Sequence, residues 1–310
     1  MLDGECSRRR SWGTRHGTQP LSASHVSRLI QLLAERRAVL TPGVANALAA
    51  RVVETLGFEA AYLTGAGLTN TFLGLPDLGF MDLTQLSQHL LAIREATELP
   101  VIVDADTGFG NALNVGHTIR LLERAGASAI QIEDQLSPKR CGHFAGKALV
   151  AAGEMSGKIR AAADARRDGV LIVARTDAIA VEGFGAAIDR AGLYAEAGAD
   201  ILFVEAPTSA DELRHIPRLL PRPQMLNLVV GGMTPMVGQA EAAEMGFGLL
   251  LYANVALQGA VQGMRVALEA LRRDGRLDEE SGLTASFAER QILVRKPWFD
   301  EQDRRYGDAA

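Results

Sequence analysis

The sequence predicts an α/β protein built as a (β/α)8 TIM-type barrel with extra helices at its N- and C-terminal ends. Short apolar runs of strand length alternate with amphipathic helical stretches along most of the chain, the pattern of parallel strands joined by crossover helices. Eight such runs occur, at residues 38–40, 60–64, 101–104, 129–133, 170–175, 201–205, 224–228 and 248–252, and eight βα units close a barrel. No G-x-G-x-x-G follows the first run, which ranks an open doubly wound sheet well below the barrel.

Taken in order, residues 1–24 carry Arg8-Arg9-Arg10 and scattered Gly, Ser and Thr with no hydrophobic period, the composition of a flexible tail, with Cys6 a bystander in it. From 25 to 37 the apolar positions Val26, Leu29, Ile30 and Leu33 recur at helical spacing, so a first helix is expected against the body. Within the barrel, a helix over 44–56 should bury Val44, Leu48 and Val52, and one over 114–125 should bury Val115, Ile119 and Leu122. Gly57, Gly126, Gly198 and Gly246 each stand between a helical stretch and the next strand, as left-handed C-caps do. The barrel domain is therefore assigned to residues 25–275. Residues 276–310 form a C-terminal helical extension, with a helix over 286–294 and then Lys296-Pro-Trp-Phe299. Leu293, Trp298 and Phe299 would cover the barrel edge or meet another subunit.

A 310-residue chain that is 47% hydrophobic can bury a large core. With 37 acidic against 32 basic residues the net charge is -5, so there is no extended basic face and nucleic acid is not an expected partner. The two cysteines, Cys6 and Cys141, do not make a disulfide framework and fit a reducing compartment. No apolar run has membrane-spanning length and no signal-peptide core precedes the body, so a cytoplasmic protein without a membrane partner is expected.

In such a barrel the active site lies at the C-terminal strand ends. The third run ends in Asp104-Ala-Asp106, the fourth in Glu133-Asp134, the fifth in Arg175-Thr-Asp177, the sixth in Glu205, and the seventh reaches Asn227. Taken singly, an Asp after a strand is most often a cap or turn residue, and Arg175 with Asp177 could be a plain salt bridge. Charged or amide groups at the same end of five strands favour a functional site. Asp104 and Asp106, two apart, can share a face. Carboxylates with few compensating bases suit a hard divalent cation, and Mg2+ takes one or two of them while keeping waters. Gly108 and Gly110 follow directly and let backbone approach a ligand. The stretch Lys139-Arg-Cys-Gly-His-Phe-Ala-Gly-Lys147 sets one thiol among cations, a setting that favours the thiolate; an incidental loop cysteine is the alternative.

The stretches Tyr62-Leu-Thr-Gly65, Leu75-Pro-Asp-Leu-Gly79, Val103-Asp-Ala-Asp-Thr-Gly-Phe-Gly110, Ile132-Glu-Asp-Gln135, Lys139-Arg-Cys-Gly-His143, Ala174-Arg-Thr-Asp177 and Glu205-Ala206, in this order and spacing, resemble the isocitrate lyase/phosphoenolpyruvate mutase superfamily over about residues 35–275. The resemblance implies Mg2+ (or Mn2+ in its place), a small 2-hydroxy or 2-oxo carboxylate substrate, and a homotetramer in which a C-terminal helix is swapped between subunits. Carried over by position, it implies metal-site roles for Asp104 and Asp106, with Asp77 and Glu133 linked through waters. Thr64, Gly65, Ala66, Gly142, Arg175, Glu205 and Asn227 would contact substrate, and Cys141, Tyr62, Lys139, His143 and Arg175 would serve catalysis. The Lys-Arg-Cys-Gly-His stretch accompanies the lyases of the superfamily and is lacking in phosphonate mutases. It therefore implies carbon–carbon cleavage of a 2-hydroxy dicarboxylate resembling 2,3-dimethylmalate or methylisocitrate, with Cys141 as general acid. Oxaloacetate hydrolysis, phosphonate mutase or carboxyphosphonoenolpyruvate chemistry, and a non-catalytic dicarboxylate-binding barrel are the alternatives. Gln258 stands where methylisocitrate lyases carry an arginine. Val230 and Met233 stand where dimethylmalate lyases and oxaloacetate hydrolases carry Glu and Lys. These departures imply a smaller, more apolar pocket.

Overall fold

In this computed structural model the described residues are 21–140 and 146–307, so the chain before residue 21 and Cys141, Gly142 and His143 of the basic stretch lie outside them. The first helix, α1 (Leu21–Ala34), begins four residues before the predicted start at 25, so residues 21–24 belong to helix and not to the tail. The apolar period begins only at Val26, whereas the helical backbone extends one turn upstream, where neither Gly nor Pro stops it.

The barrel follows as β1 (Val39–Val44), α2 (Ala47–Thr55), β2 (Ala61–Leu63), α3 (Gly65–Leu68), α4 (Leu83–Ala96), β3 (Val101–Asp104), α5 (Ala112–Arg124), β4 (Ala129–Glu133), α6 (Ala152–Ala165), β5 (Leu171–Thr176), α7 (Ile179–Glu182), α8 (Phe184–Glu196), β6 (Ile201–Val204), α9 (Ala210–Leu219), β7 (Met225–Asn227), α10 (Gln239–Met245) and β8 (Leu249–Tyr252). After it come α11 (Val255–Asp274), α12 (Phe287–Leu293) and α13 (Lys296–Gly307). The eight strands are parallel neighbours in the order β6-β5-β4-β3-β2-β1-β8-β7. The ring closes between β6 and β7, where Leu202 bridges Gln224 and its N–H donates to the Pro223 carbonyl at 2.9 Å.

All eight predicted strands are present, with ends shifted by a few residues. Gly57, Gly126, Gly198 and Gly246 have φ of 82°, 96°, 110° and 107°, the left-handed conformation expected of them. The face predicted for α5 is buried as expected, but that of α2 is not. Val44 ends β1, Leu48 and Val52 are exposed, and α2 instead buries Ala50 and Val53. Asn46 starts this helix by accepting from the Ala49 N–H at 2.9 Å, and the helix set by this cap turns Ala50 and Val53, not Leu48 and Val52, into the core. In the C-terminal extension the helix expected over 286–294 is α12; Lys296-Pro-Trp-Phe299 opens α13, a helix that the sequence pattern did not resolve.

Strand alternation sorts the apolar residues into two cores. Outward positions such as Leu63, Val103, Ile130, Ile172 and Leu250 pack under the helices. Inward positions such as Ile102, Ala129, Val173, Ile201, Met225 and Leu249 fill the barrel, and Val26, Leu29, Leu32 and Leu33 of α1 join this inner cluster. With its lower interior filled by aliphatic side chains, the barrel has room for polar groups only at the opposite, C-terminal mouth.

Gly43 shows how tightly β1 and β8 meet there. A Cβ on Gly43 would stand 1.9 Å from the Ala253 carbonyl oxygen, backbone that cannot rotate away. Gly43→Ala is expected to destabilise the fold by about 1–3 kcal/mol, read as a lowered urea midpoint; an unchanged midpoint would show that this contact relaxes freely.

Candidate active site

The alternation that fills the barrel also builds its mouth. Continuing the inward register beyond Ile102, Ala129, Val173, Phe203 and Met225 gives Asp104, Gln131 with Glu133, Arg175, Glu205 and Asn227. Each is buried. Tyr62 of β2 is inward as well and 2% exposed. Tyr62, Thr64, Ala66, Asp77, Asp104, Lys139, Arg175, Glu205 and Asn227 line a single pocket, joined by Arg140, Phe203, Val229, Leu251, Ala253 and Asn254.

On one side Tyr62 Oη donates to Gln131 Oε1 at 2.7 Å, and Gln131 Nε2 donates to Asp104 Oδ1 at 3.0 Å. The Asp106 backbone N–H also donates to Asp104 Oδ1, at 3.1 Å, which fixes that carboxylate and places its neighbour. Asp106 has φ 49°, so the chain leaves the extended path directly after β3. The two carboxylates therefore meet through a turn and not through a continued strand. Gly65 lies against both: a Cβ there would stand 3.2 Å from Asp104 Oδ2 and 3.2 Å from Asp106 Oδ1. Thr64 caps α3 by accepting from the Gly67 N–H at 3.2 Å, which orients this glycine-bearing turn toward the pocket.

Lys139 is the cation of this wall. Its Nζ lies 2.5 Å from Asp77 Oδ1 and 2.9 Å from Asp106 Oδ1. Burial opposes its charge, but Asp106, Glu133, Asp104 and Asp77 hold the ammonium well above its usual range. Burial raises Asp106 to about 6, with Lys139 opposing. Glu133 is likewise pushed well up by burial, against the pull of Arg175. Glu133 Oε1 is buried with no hydrogen-bond partner among the described residues, an acceptor open to a water or a ligand. Burial, followed by the Asp104 charge, also pushes the Tyr62 phenol well above its ordinary value.

Across the pocket, Arg175 Nε and Nη2 bind Asp177 Oδ2 and Oδ1 at 2.9 and 3.0 Å. Arg175 also lies 3.4 Å from Glu133 and 3.8 Å from Glu205, with its guanidinium over the Phe203 ring at 5.1 Å. Asn227 Nδ2 reaches Glu205 Oε1 at 3.5 Å, while Asn227 Oδ1 and Asn254 Oδ1 are buried without a partner among the described residues.

The predicted residues within the described chain thus gather at one mouth, with Gly65, Asp106 and Glu133 in contact with the lining residues. Gln131, Phe203 and Asn254 were not anticipated. Gln131 and Phe203 could have been found by counting back two from Glu133 and Glu205. Asn254 carries no such signal, because it sits at the N-cap of α11 without capping it. Cys141, Gly142 and His143 lie outside the described residues, but Arg140 before them is held by Gln135, which accepts from its N–H at 2.9 Å and donates to its carbonyl at 2.8 Å.

The mouth thus sets one guanidinium and the Lys139 ammonium among the carboxylates of Asp77, Asp104, Asp106, Glu133 and Glu205. Comparison with known proteins identifies the family. The family described as phosphoenolpyruvate phosphomutase matches residues 29–272. A 2-methylisocitrate lyase of Aeropyrum pernix is 46% identical over 247 residues, 80% of this chain and 80% of that protein. A 2,3-dimethylmalate lyase of Eubacterium barkeri is 38% identical over 281 residues, 90% of this chain and 97% of that one. The structure of an oxaloacetate acetylhydrolase in complex with 3,3-difluorooxalacetate superposes with a TM-score of 0.86 at 32% identity, covering 94% of this chain and 99% of that one. The barrel, its polar mouth and these matches together place the chain in the phosphoenolpyruvate mutase/isocitrate lyase superfamily.

Proposed function

We propose that this protein is a carbon–carbon lyase that cleaves a 2-hydroxy dicarboxylate, of the 2,3-dimethylmalate or methylisocitrate kind, to a 2-oxo acid such as pyruvate and a second carboxylic acid. The observation that carries this reading is the placement of Arg175, its guanidinium held by Asp177, across one pocket from the Asp104–Asp106 wall, with Asp77, Lys139, Arg140 and Glu205 also in the lining. The substrate carboxylate would lie between Arg175 and the backbone of Thr64, Gly65 and Ala66. Asp104 and Asp106 would hold Mg2+, or Mn2+ in its place, with Asp77 and Glu133 reaching it through water. Among the described residues no three His, Cys, Asp or Glu side chains stand as a direct metal cage. Mg2+ takes one or two carboxylates and retains waters, and Glu133 Oε1, without a hydrogen-bond partner among the described residues, fits an acceptor for one of those waters. When bound, the ion would lower the pKa of the substrate hydroxyl and neutralise charge on the adjacent carboxylate.

The residues divide the remaining work. A phenol held well above its ordinary pKa keeps its proton at neutral pH, and Tyr62 gives it to Gln131, whose amide in turn holds Asp104, so Tyr62 orients the carboxylate wall rather than acting as a resting base. Glu133, whose Oε1 is buried without a hydrogen-bond partner among the described residues, would accept the hydroxyl proton. As the C–O bond becomes a carbonyl, the electron pair of the broken carbon–carbon bond passes to the leaving fragment, where its carboxylate spreads the charge. Cys141 delivers a proton to that carbon, with Gly142 and His143 beside it and Lys139 anchoring the start of the segment. Glu205 and Asn227 complete the wall near the leaving fragment.

The likeness to an oxaloacetate acetylhydrolase favours a second reading, hydrolysis of oxaloacetate to oxalate and acetate in the same pocket. Purified protein with Mg2+ and each of 2,3-dimethylmalate, 2-methylisocitrate, isocitrate and oxaloacetate separates the two. Pyruvate or another 2-oxo acid from a hydroxy acid is expected; oxalate from oxaloacetate alone would establish the second reading, and no product from any would refute both.

We also take the working form to be a cytoplasmic homotetramer with a swapped C-terminal helix. Val261, Met264, Leu268 and Leu271 of α11 are exposed, as are Phe287 of α12 and Trp298 and Phe299 of α13, an apolar surface larger than single scattered residues would give. No helix among the described residues is long and apolar enough to cross a membrane.

A further inference from the structure

The turn after β3 follows an unfavourable path. Asp106 and Phe109 have φ of 49° and 59°, and Gly108 and Gly110 beside them have φ of 87° and 142°. L side chains rarely adopt that region, so the two non-glycine residues stay there only where the surroundings hold them.

The carbonyls of the turn are held one after another. The Asp106 carbonyl accepts from the Glu133 N–H of β4 at 2.8 Å. The Thr107 carbonyl accepts from Lys158 Nζ of α6 at 3.2 Å, and the Gly108 carbonyl accepts from Thr118 Oγ1 of α5 at 3.1 Å. Thr118 is fully buried and Lys158 is 4% exposed, so both reach the turn from the inner faces of their helices and not through solvent. A buried ammonium is costly unless it is paired, yet the hydrogen-bond partner of Lys158 is a backbone oxygen and not a carboxylate. Burial lowers its pKa, with the Glu154 charge opposing.

This turn carries the Asp106 carboxylate. The Asp106 N–H donates to Asp104 Oδ1 at 3.1 Å, and Asp106 Oδ1 lies 2.9 Å from Lys139 Nζ. Its side chain therefore faces the mouth while the next two carbonyls of the turn face the helices.

We propose that Lys158 and Thr118 are positioning residues: from the outer helices they hold the left-handed turn after β3 and so present the Asp106 carboxylate to the mouth. The consequence for cation binding rests on the reading of Asp104 and Asp106 as the metal wall; the positioning itself rests on the turn alone. Lys158→Met keeps the length of the side chain and removes the donor. Thr118→Val keeps the shape and removes the hydroxyl.

The test uses full-length protein and two readouts. Hydrogen–deuterium exchange read by mass spectrometry needs neither metal nor substrate. Exchange over residues 104–110 is expected to quicken by about tenfold or more in either variant, while β7 and β8 keep their wild-type rates. Titration with Mn2+ as the probe, followed by its paramagnetic resonance signal, is expected to give a Kd raised by about 10–100-fold in each variant. Wild-type exchange and Mn2+ affinity in both variants would overturn the proposal. So would quickening spread evenly over the barrel, the mark of general destabilisation and not of a held turn. Should Lys158→Met fail to fold, Thr118→Val decides it. A wild type that takes up no Mn2+ would refute the metal reading of Asp104 and Asp106, and the exchange pattern then decides the positioning role by itself.

Discussion

Cys141→Ser is expected to lower kcat on the cleaved hydroxy acid by about 10²–10⁴, the contribution of one well-placed proton donor, with little change in oxalate affinity. A serine hydroxyl is isosteric but far less acidic than a thiol, so it cannot protonate the carbon of the departing fragment in time. Binding should survive because the groups proposed to hold the substrate carboxylate, Arg175 and the turn at Thr64–Ala66, belong to other parts of the barrel. Solvent-deuterium incorporation into the released acid offers a second readout: the wild type should place one solvent deuteron on that carbon. Turnover of the Ser variant within about threefold of wild type would remove Cys141 from the chemistry.

Removal of divalent cations by a chelator is expected to reduce turnover by about 10³ or more, and added Mg2+ to restore it. The fold should not follow. With the cation gone, Lys139 remains at 2.5 Å from Asp77 and 2.9 Å from Asp106, so the carboxylate wall keeps a counter-charge, and the near-ultraviolet circular dichroism should be unchanged. Asp104→Asn should retain that spectrum and fail to regain activity at any ordinary Mg2+ concentration. Full activity in the presence of the chelator would refute the metal assignment to Asp104 and Asp106.

Much of this protein could be read along its chain because a barrel repeats one local unit. Each strand carries its own period of two, and the switch from apolar to polar within that period marks the mouth. Ile102 gives way to Asp104, Val173 to Arg175 and Phe203 to Glu205 on the same face. The resemblance added roles to Asp104, Asp106, Glu133, Arg175, Glu205 and Asn227, already singled out at the strand ends, and brought in Tyr62, Thr64, Gly65, Ala66 and Asp77, which that alternation does not mark. Where periodicity offered two answers, it failed: α2 has a leucine stripe and an alanine–valine stripe, and only packing against the sheet selected Ala50 and Val53.

The sequence by itself determined the eight strands, the glycine caps that end helices ahead of them, and the set of charged residues assigned to one mouth. These depend on local backbone preference and on burial of alternating side chains, which are written residue by residue. Only the tertiary structure decided which of those charges meet. That Gln131 links Tyr62 to Asp104, that Lys139 lies between Asp77 and Asp106, and that Lys147 shares Asp177 with Arg175 are contacts between residues 27 to 69 positions apart. Such pairings are set by the closure of the ring, which brings strand ends and loops to distances that no sequence spacing encodes.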